Sequence, residues 1–432
     1  MSTVAVIGAG YVGTTTAACL AWLGHDVTCA DIDADRVRRL AGGDVPLVED
    51  HLADLVATGL ATGRLRFVTD AAEAAAAAEF VFLCVPTPSG PGGAADLTAV
   101  DTVCRRIARR LRPGAVVVNK STMPVGSVRH VTAVLAEAGA AAGAYGVASN
   151  PEFLREGRAV RNFLEPDRIV IGADHPGTAD RVRALYREID APVVITDPES
   201  AEMTKYAANA YLATRVTFVN AIAALCERVG ADVLDVVTGM GHDRRIGSGF
   251  LAPGPGYGGS CLPKDVAALV HVAEQAGADA DVLRAVMRTN ARQRDRVIDK
   301  VARLVGGRLD GAVVAVWGLT FKAGTDDVRD SPALDIADRL LDAGAVVRAF
   351  DPAGAASAAL LVPGLDVVAD AYLACKEADV LLVLTEWDAF RDLDFGRVHQ
   401  MMAVPRVVDT RNVLDPHPLR ALGFTYEGTG RR

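Results

Sequence analysis

Two short apolar runs, Val4-Ala-Val-Ile-Gly8 and Val313-Val-Ala-Val-Trp-Gly318, each stop at a glycine. Each is followed by a further strand-like run that closes on an aspartate, Asp31 in the first case and Asp351 in the second. A continuous apolar run of this length suits a strand buried on both faces, which is the strand type of parallel sheets covered by helices. The grammar continues in step. Phe80 to Pro86 is paralleled by Asp379-Val-Leu-Leu-Val-Leu-Thr385, and Val117 to Thr122 by Val407-Val-Asp-Thr-Arg411. Strands alternating with helical stretches predict an α/β chain with two Rossmann-like, doubly wound parallel-sheet domains. Between them, Glu199 to Gly230 has apolar residues at helical spacing and almost no breakers, which predicts a central helix on the order of 45 Å long. Such a helix suits a spine and a dimer surface. The predicted division is residues 1–197, 198–305 and 306–432, which agrees with the roughly 150 residues per domain expected for 432.

Charge and composition narrow the function. The net charge is −9, so the chain has no general attraction to a phosphate backbone, and nucleic acid is excluded as the default partner. The longest Ala-rich stretch, Ala71 to Val85, is broken by Glu73 and Glu79, and a membrane span needs roughly 18 or more apolar residues. No secretory signal is readable before Val4, and seven scattered cysteines form neither a disulfide framework nor a CxxC zinc pattern. These features predict a cytoplasmic protein without a metal site.

Gly8-Ala-Gly10-Tyr11-Val12-Gly13 is a G-x-G-x-x-G directly after a strand and at the mouth of a helix, with Asp31 closing the next strand. The glycines permit a tight turn and close approach of a pyrophosphate to the helix N-terminus. Asp31 can accept from an adenosine ribose and would repel a 2′-phosphate, so NAD is the expected cofactor.

The Gly/Pro-rich segment Gly247 to Pro263 is long for a loop inside a folded chain and ends in Gly258-Gly-Ser-Cys261-Leu-Pro-Lys264-Asp265. Lys264 and a nearby helix start would both favour the Cys261 thiolate, the form that attacks carbonyls. Lysines number only six among 45 basic residues, which directs attention to Lys205. With Glu202 and Asn209 it shares one helix face, where an ion pair between Glu202 and Lys205 is the plain alternative to chemistry. Asn150-Pro-Glu152-Phe-Leu-Arg-Glu156-Gly157 places two carboxylates after a strand, where one can orient a hydrolytic water or both can suit a helix N-terminus. Ser121-Thr122 follows another strand and would place a hydroxyl near a nicotinamide. In the second sheet, Phe321-Lys322 and Arg329 stand where a glycine fingerprint would be, suited to phosphate or sugar hydroxyls, or for Arg329 to an ion pair with Asp326 or Asp330.

Taken in order, Gly8 to Gly13, Val85-Pro-Thr-Pro, Ser121 to Gly126, Asn150 to Gly157, Pro166 to Gly172, Lys205 to Asn209, Gly258 to Asp265 and Phe321 to Pro332 resemble the nucleotide-sugar 6-dehydrogenases of the UDP-glucose/GDP-mannose dehydrogenase family. The resemblance runs nearly end to end and implies an NAD domain, a helical dimerisation domain carrying the Cys loop, and a C-terminal domain for the nucleotide sugar. It implies oxidation of a sugar C6 alcohol to the acid through a Cys261 thiohemiacetal and thioester, with Lys205, Asn209, Glu152, Asp265 and Thr122 assisting. At NAD-binding positions it places Gly8, Gly10, Tyr11, Val12, Gly13, Asp31, Arg36, Val85, Pro86, Thr87, Thr122, Glu156, Lys264 and Arg329. At substrate positions it places Glu152, Phe153, Leu154, Lys205, Asn209, Phe250, Tyr257, Gly258, Phe321, Lys322 and Arg411, with Arg245 reaching into the neighbouring subunit of a homodimer or higher oligomer. UDP-glucose is the implied substrate, with TDP-glucose and GDP-mannose as alternatives, because Ala252 stands where many relatives carry Lys or Asn. Ser260, where relatives acting on N-acetyl sugars carry His, counts against that class. Two other functions fit parts of the chain. A two-electron hydroxyacid dehydrogenase leaves Cys261 and residues 310–432 unused, and a silent NAD-binding regulator leaves the reactive set unexplained.

Overall fold

The computed structural model describes residues 1–141 and 143–431. The chain divides into two compact units, Met1–Ala208 with Ala267–Gly277, and Asn209–Val266 with Ala278 onward.

In the first unit eight strands form one sheet: β1 (Thr3–Ile7), β2 (Asp26–Ala30), β3 (Leu65–Val68), β4 (Phe80–Leu83), β5 (Ala115–Asn119), β6 (Tyr145–Ser149), β7 (Ile169–Gly172) and β8 (Val193–Thr196). They lie in the order β3-β2-β1-β4-β5-β6-β7-β8. The six strands β1 to β6 run parallel, with β1 in register against β2 from Thr3↔Asp26 to Ile7↔Ala30. The sheet is not parallel throughout, because β7 meets β6 antiparallel at Ser149↔Gly172 and β8 follows β7. Both sheet faces are covered. Val4, Val6, Val27 and Cys29 belong to one buried cluster, while Ala5, Ile7, Ala30 and Val81 belong to the other. Burial on both faces is why these strands read as continuous apolar runs rather than alternating ones.

The second unit repeats the design with β9 (Val313–Trp317), β10 (Val346–Phe350), β11 (Asp366–Val367), β12 (Val380–Val383), β13 (Arg406–Asp409) and β14 (Thr425–Gly428). Their order is β11-β10-β9-β12-β13-β14, and all pairs are parallel. The order matches that of β3-β2-β1-β4-β5-β6, the dinucleotide-binding winding, in which ligands meet the carboxyl ends of the strands. The predicted spine is present as one 32-residue helix, Pro198–Val229, which runs from the first unit into the second. None of the helices, among the described residues, is long and apolar enough to cross a membrane.

Candidate active site

Most of the first unit's candidate residues follow the carboxyl ends of its parallel strands. After β1, Gly8 adopts φ +102, and a Cβ there would lie 2.6 Å from the Cys84 carbonyl oxygen. Helix Tyr11–Trp22 starts at once, with Gly10 at its N-cap and no side chain capping its N–H groups. Gly13 faces inward, where an added Cβ would lie 1.7 Å from the Gly8 carbonyl oxygen, whereas a Cβ on Gly10 would meet open space. Gly8 and Gly13 thus build the turn, and Gly10 leaves it accessible. Asp31 Oδ2 accepts from Ala9 N at 2.7 Å and from Arg36 Nη1 at 3.3 Å. The Tyr11 hydroxyl donates to Glu49 and accepts from Gly157 N, which ties the start of that helix to the 150–157 loop. Val85 and Thr87 are buried after β4 while Pro86 is exposed. Ser121 Oγ donates to the Val85 carbonyl and Thr87 Oγ1 to that of Thr122, which stitches the two strand ends together. This cradle, with its open Gly10 and its acid one strand over, fits NAD: helix Tyr11–Trp22 for the pyrophosphate and Asp31 for the ribose.

After β6 the chain reaches Glu152, which is buried against Lys205 with Oε1 accepting from Nζ at 2.9 Å. Its Oε2 accepts from Leu154 N at 2.6 Å. Burial works against the charged form of Glu152, but Lys205 outweighs it and holds the carboxyl below its ordinary range. Phe153 stacks under Arg168 at 3.6 Å and lies 5.3 Å from Lys205 Nζ. Glu152 and part-buried Glu156 both lie in a loop, since the next helix begins only at Ala159. The helix-dipole reading of these two acids is therefore wrong. Glu202 does something other than pair along its helix: its carboxylate accepts from Gly126 N at 2.6 Å and Val128 N at 3.0 Å, and burial pushes it up to about 7.

Behind Glu152 lies a network that sequence reasoning missed. Lys120 Nζ donates to Asn150 Oδ1 at 3.2 Å, Tyr186 donates to the same oxygen at 2.5 Å, and Asn150 Nδ2 donates to the Val170 carbonyl. Burial lowers Lys120 to about 8. Its scarcity among basic residues was the available signal, but only the fold brings Asn150 and Tyr186 to it.

In the second unit, Cys261 precedes helix Leu262–Gln275 and its carbonyl accepts from Asp265 N at 2.9 Å, so the thiol sits at the helix N-cap. Of the seven free cysteines only Cys261 is not buried. Burial pushes Cys84, Cys104 and Cys375 up to about 12 and Cys19 and Cys29 further still, which suppresses their thiolates. Lys264, expected to act on the thiol, donates to Asp265 Oδ1 at 2.7 Å, and Asn209 Nδ2 donates to Asp265 Oδ2 at 2.5 Å. Asp265 is thus a buried hub between a lysine and an amide.

The preceding loop is pinned along its length. Asn220 Oδ1 accepts from Gly254 N at 2.8 Å, Gln293 Nε2 donates to Gly254 O at 2.9 Å, and Asn290 exchanges bonds with both backbone groups of Tyr257. These anchoring amides were also missed, since their only trace is buried polar residues on helices Pro198–Val229 and Asp281–Leu304. Phe250, with φ +57, is held in the left-handed region that non-glycine residues avoid. A Cβ on Gly258 would lie 2.3 Å from the Asp330 carbonyl oxygen, and one on Gly259 would strike the Phe321 ring at 2.7 Å. Lys322 Nζ lies 5.6 Å from the Phe321 ring centroid, and Arg411 donates to the Leu384 and Phe321 carbonyls. Arg329 makes a bidentate pair with Asp327, at 2.9 and 2.7 Å, an acid that its ion-pair alternative did not name. The backbone explains the difference, since Arg329 N also donates to Asp327 and so points the side chain back over that acid. Arg245 projects into solvent and is held by Asp243 at 2.6 Å. Among the described residues no group of His, Cys, Asp and Glu is arranged to hold a metal ion.

Residues 2–190 match the NAD binding domain, 199–292 the central domain and 315–416 the UDP binding domain of one family. The chain belongs to the UDP-glucose/GDP-mannose dehydrogenase family. Its members are NAD-dependent oxidoreductases, and the glycine turn described above lies inside the NAD binding domain. The chain is 45% identical over 436 residues to a UDP-glucose 6-dehydrogenase of Rhizobium meliloti, covering 99% of each chain. It is 44% identical to one of Pseudomonas aeruginosa, covering 99% of this chain and 97% of that one. A UDP-glucose dehydrogenase structure from the archaeon Pyrobaculum islandicum superposes with a TM-score of 0.93 at 36% identity, covering 100% and 98% of the two chains.

Proposed function

We propose that this chain oxidises the C6 alcohol of UDP-glucose to UDP-glucuronate in two successive two-electron steps, with Cys261 as the covalent anchor. The observation that carries this reading is that Cys261 alone among seven thiols escapes burial and stands at a helix N-cap. Two relatives over 40% identical bear the name UDP-glucose 6-dehydrogenase, which supports the nucleotide and the sugar.

NAD, when bound, accepts the hydride that leaves C6, once in each step. Gly8, Gly10 and Gly13 admit its pyrophosphate, Asp31 and Arg36 face the adenosine ribose, and Tyr11, Val12, Val85, Pro86, Thr87, Thr122, Glu156, Lys264 and Arg329 complete the expected set. Lys205, ion-paired with an ionised Glu152, enters as an ammonium. It therefore serves as a donor that stabilises the alkoxide at O6, while the alcohol proton leaves through water toward Asp265. Loss of hydride gives an aldehyde, and the Cys261 thiolate adds to its carbon. The resulting oxyanion takes a hydrogen bond from Asn209, whose amide has one N–H donated to Asp265 and a second for the substrate. Loss of the second hydride leaves a thioester. Glu152 then takes a proton from water, the water oxygen attacks the thioester carbon, and the thiolate departs with the acid formed. Covalent capture keeps the reactive aldehyde from escaping between the two oxidations.

Phe153, Leu154, Phe250, Tyr257, Gly258, Phe321, Lys322 and Arg411 form the expected sugar and nucleotide contacts, with residues 198–305 as the dimerisation domain. Tyr211, Phe218, Leu225 and Val229 are exposed on the long helix at spacings of seven, seven and four. That apolar stripe supports a second copy of this chain as its cover, which exposed Arg245 would reach by exchanging its pair with Asp243. A monomer by sedimentation at working concentration would overturn the dimer. All seven cysteines as free thiols support a reducing compartment.

The test is turnover with NAD on UDP-glucose, TDP-glucose, GDP-mannose and UDP-N-acetylglucosamine side by side. UDP-glucose is expected to have the highest kcat/KM by at least about tenfold, or 1.4 kcal/mol. Preference for another sugar nucleotide reassigns the substrate, and Cys261→Ser releasing uronate at full rate removes the thioester.

A further inference from the structure

A cavity of about 180 Å³ opens in the second unit between the Asn220–Arg228 stretch of the long helix, helix Asp281–Leu304 and Thr429 near the end of the chain. At about 30 Å³ per water that is space for roughly six waters, enough for a tetrahedral oxyanion. Arg228, Arg296, Lys300 and Arg303 line it against two acids, Glu227 and Asp299. Lys300 is taken up by Glu227 and by the Gly428 carbonyl, and Arg303 lies 3.5 Å from Glu427. Arg228 and Arg296 then stand against Asp299 alone, which leaves an excess of one positive charge.

One of the lining residues carries an unmet donor. Asn220 is 2% exposed, its Oδ1 accepts from Gly254 N, and its Nδ2 has no partner. Beside it Gln293 donates to the Gly254 carbonyl and accepts from Arg296 Nη1 at 3.2 Å. A buried N–H group without an acceptor is unfavourable, and Asn220 lines the same cavity as Arg228 and Arg296. The same two amides hold both backbone groups of Gly254, in the loop that leads to Cys261.

We propose that this cavity is a binding site for a small dianion of the phosphate class, held by Arg228, Arg296 and Asn220 Nδ2, and that its occupancy steadies the loop at Gly254. The anion completes the hydrogen bonding of Asn220 and so fixes the amide orientation in which Oδ1 faces Gly254 N. The site stands apart from the dehydrogenase reading, whereas its kinetic consequence rests on it: phosphate lowers KM for the nucleotide sugar, and by linkage the sugar nucleotide tightens phosphate.

The experiment is calorimetric titration of the full chain with inorganic phosphate and, separately, glycerol 3-phosphate. Ionic strength is held with chloride, and NAD and UDP are present to fill the sites expected to take phosphates. Asn220→Asp keeps the acceptor for Gly254 N and puts an oxygen in place of the donor, so it should weaken binding by about tenfold or more. Arg228→Gln, at an exposed position, should weaken it by about threefold. Tighter binding of the ester would make an organic phosphate the occupant, and tighter inorganic phosphate the free ion. No binding by the wild type at millimolar phosphate overturns the proposal, as does an unchanged titration in Arg228→Gln and a correctly folded Asn220→Asp. Phosphate that binds without moving KM overturns the coupling alone. Phosphate binding to a protein that oxidises none of the sugars overturns the dehydrogenase reading and leaves the site standing.

Discussion

Asp31 and Asp351 hold the same station in two sheets wound alike, each just past the second strand of its unit. Both accept a backbone N–H from the turn after the first strand, Ala9 N at 2.7 Å and Leu319 N at 2.7 Å. Both also accept from the amide two residues on, Asp33 N at 3.0 Å and Ala353 N at 2.8 Å, and beyond that they differ. Asp31 Oδ2 is shared with Arg36 at 3.3 Å, a contact that a ribose can join. Asp351 is 2% exposed and accepts in addition from Thr320 N and Oγ1, Trp387 Nε1 and Gly354 N. The turns differ in the same sense. Gly8, Gly10 and Gly13 feed straight into a helix, whereas after Gly318 the chain runs without regular structure to Ser331, the N-cap of helix Pro332–Asp342. One turn exposes backbone to a ligand, and the other is closed on its own acid. A strand that ends on an aspartate thus locates the turn in both units, but only the first turn leaves its backbone open; in the second, the nucleotide contacts proposed above fall to side chains such as Lys322 and Arg411.

Substitutions separate the two roles. Gly13→Ala should have the largest effect, because the new Cβ would lie 1.7 Å from backbone oxygen. A loss of about 4 kcal/mol or failure to fold is expected in denaturant titration. Asp351→Ala should cost about 3 kcal/mol of stability by leaving several buried donors unpaired, while the KM for NAD stays unchanged in whatever protein remains folded. Asp31→Ala reverses the pattern. It should raise the KM for NAD by about tenfold or more, the worth of a charge-assisted bond of roughly 1.5 kcal/mol or above, with a smaller change in melting temperature than Asp351→Ala. Equal effects of the two aspartates on NAD would break the comparison.

A pH-dependent effect belongs to Glu202, whose carboxyl burial raises from an ordinary 4.5 to about 7. The folded state holds that proton more tightly than the unfolded state does. This contribution therefore makes stability fall as pH rises from about 4.5 to about 7, and levels above that. Stability measured against pH in Glu202→Gln should lack this slope, and an unaltered slope would show that Glu202 is already ionised at pH 5.

Much of this was legible in the chain itself. Continuous apolar strands, the glycine fingerprint and the breaker-free stretch from Glu199 located the winding and the long helix, because burial and backbone geometry act locally on those residues. Short strands were less visible. Val193–Thr196 is too brief and too exposed to carry a pattern, and the reversal at β7 depends on pairing across the sheet. At the candidate site the reactive residue types were readable, but their partners were not. Glu202 turned from Lys205 to the backbone of Gly126 and Val128, Lys264 has Asp265 as a partner, and Arg329 has Asp327. Which partner a charge takes is a matter of tertiary distance, and spacing along the chain cannot supply it.

The most direct test is the number of NADH formed per UDP-glucose at exhaustion of the sugar, with NAD in excess. Two NADH per sugar, with uronate as the product and loss of that product in Cys261→Ser, is the result expected of a thiol that retains the aldehyde for a second oxidation. One NADH per sugar, with free aldehyde in solution, would contradict it.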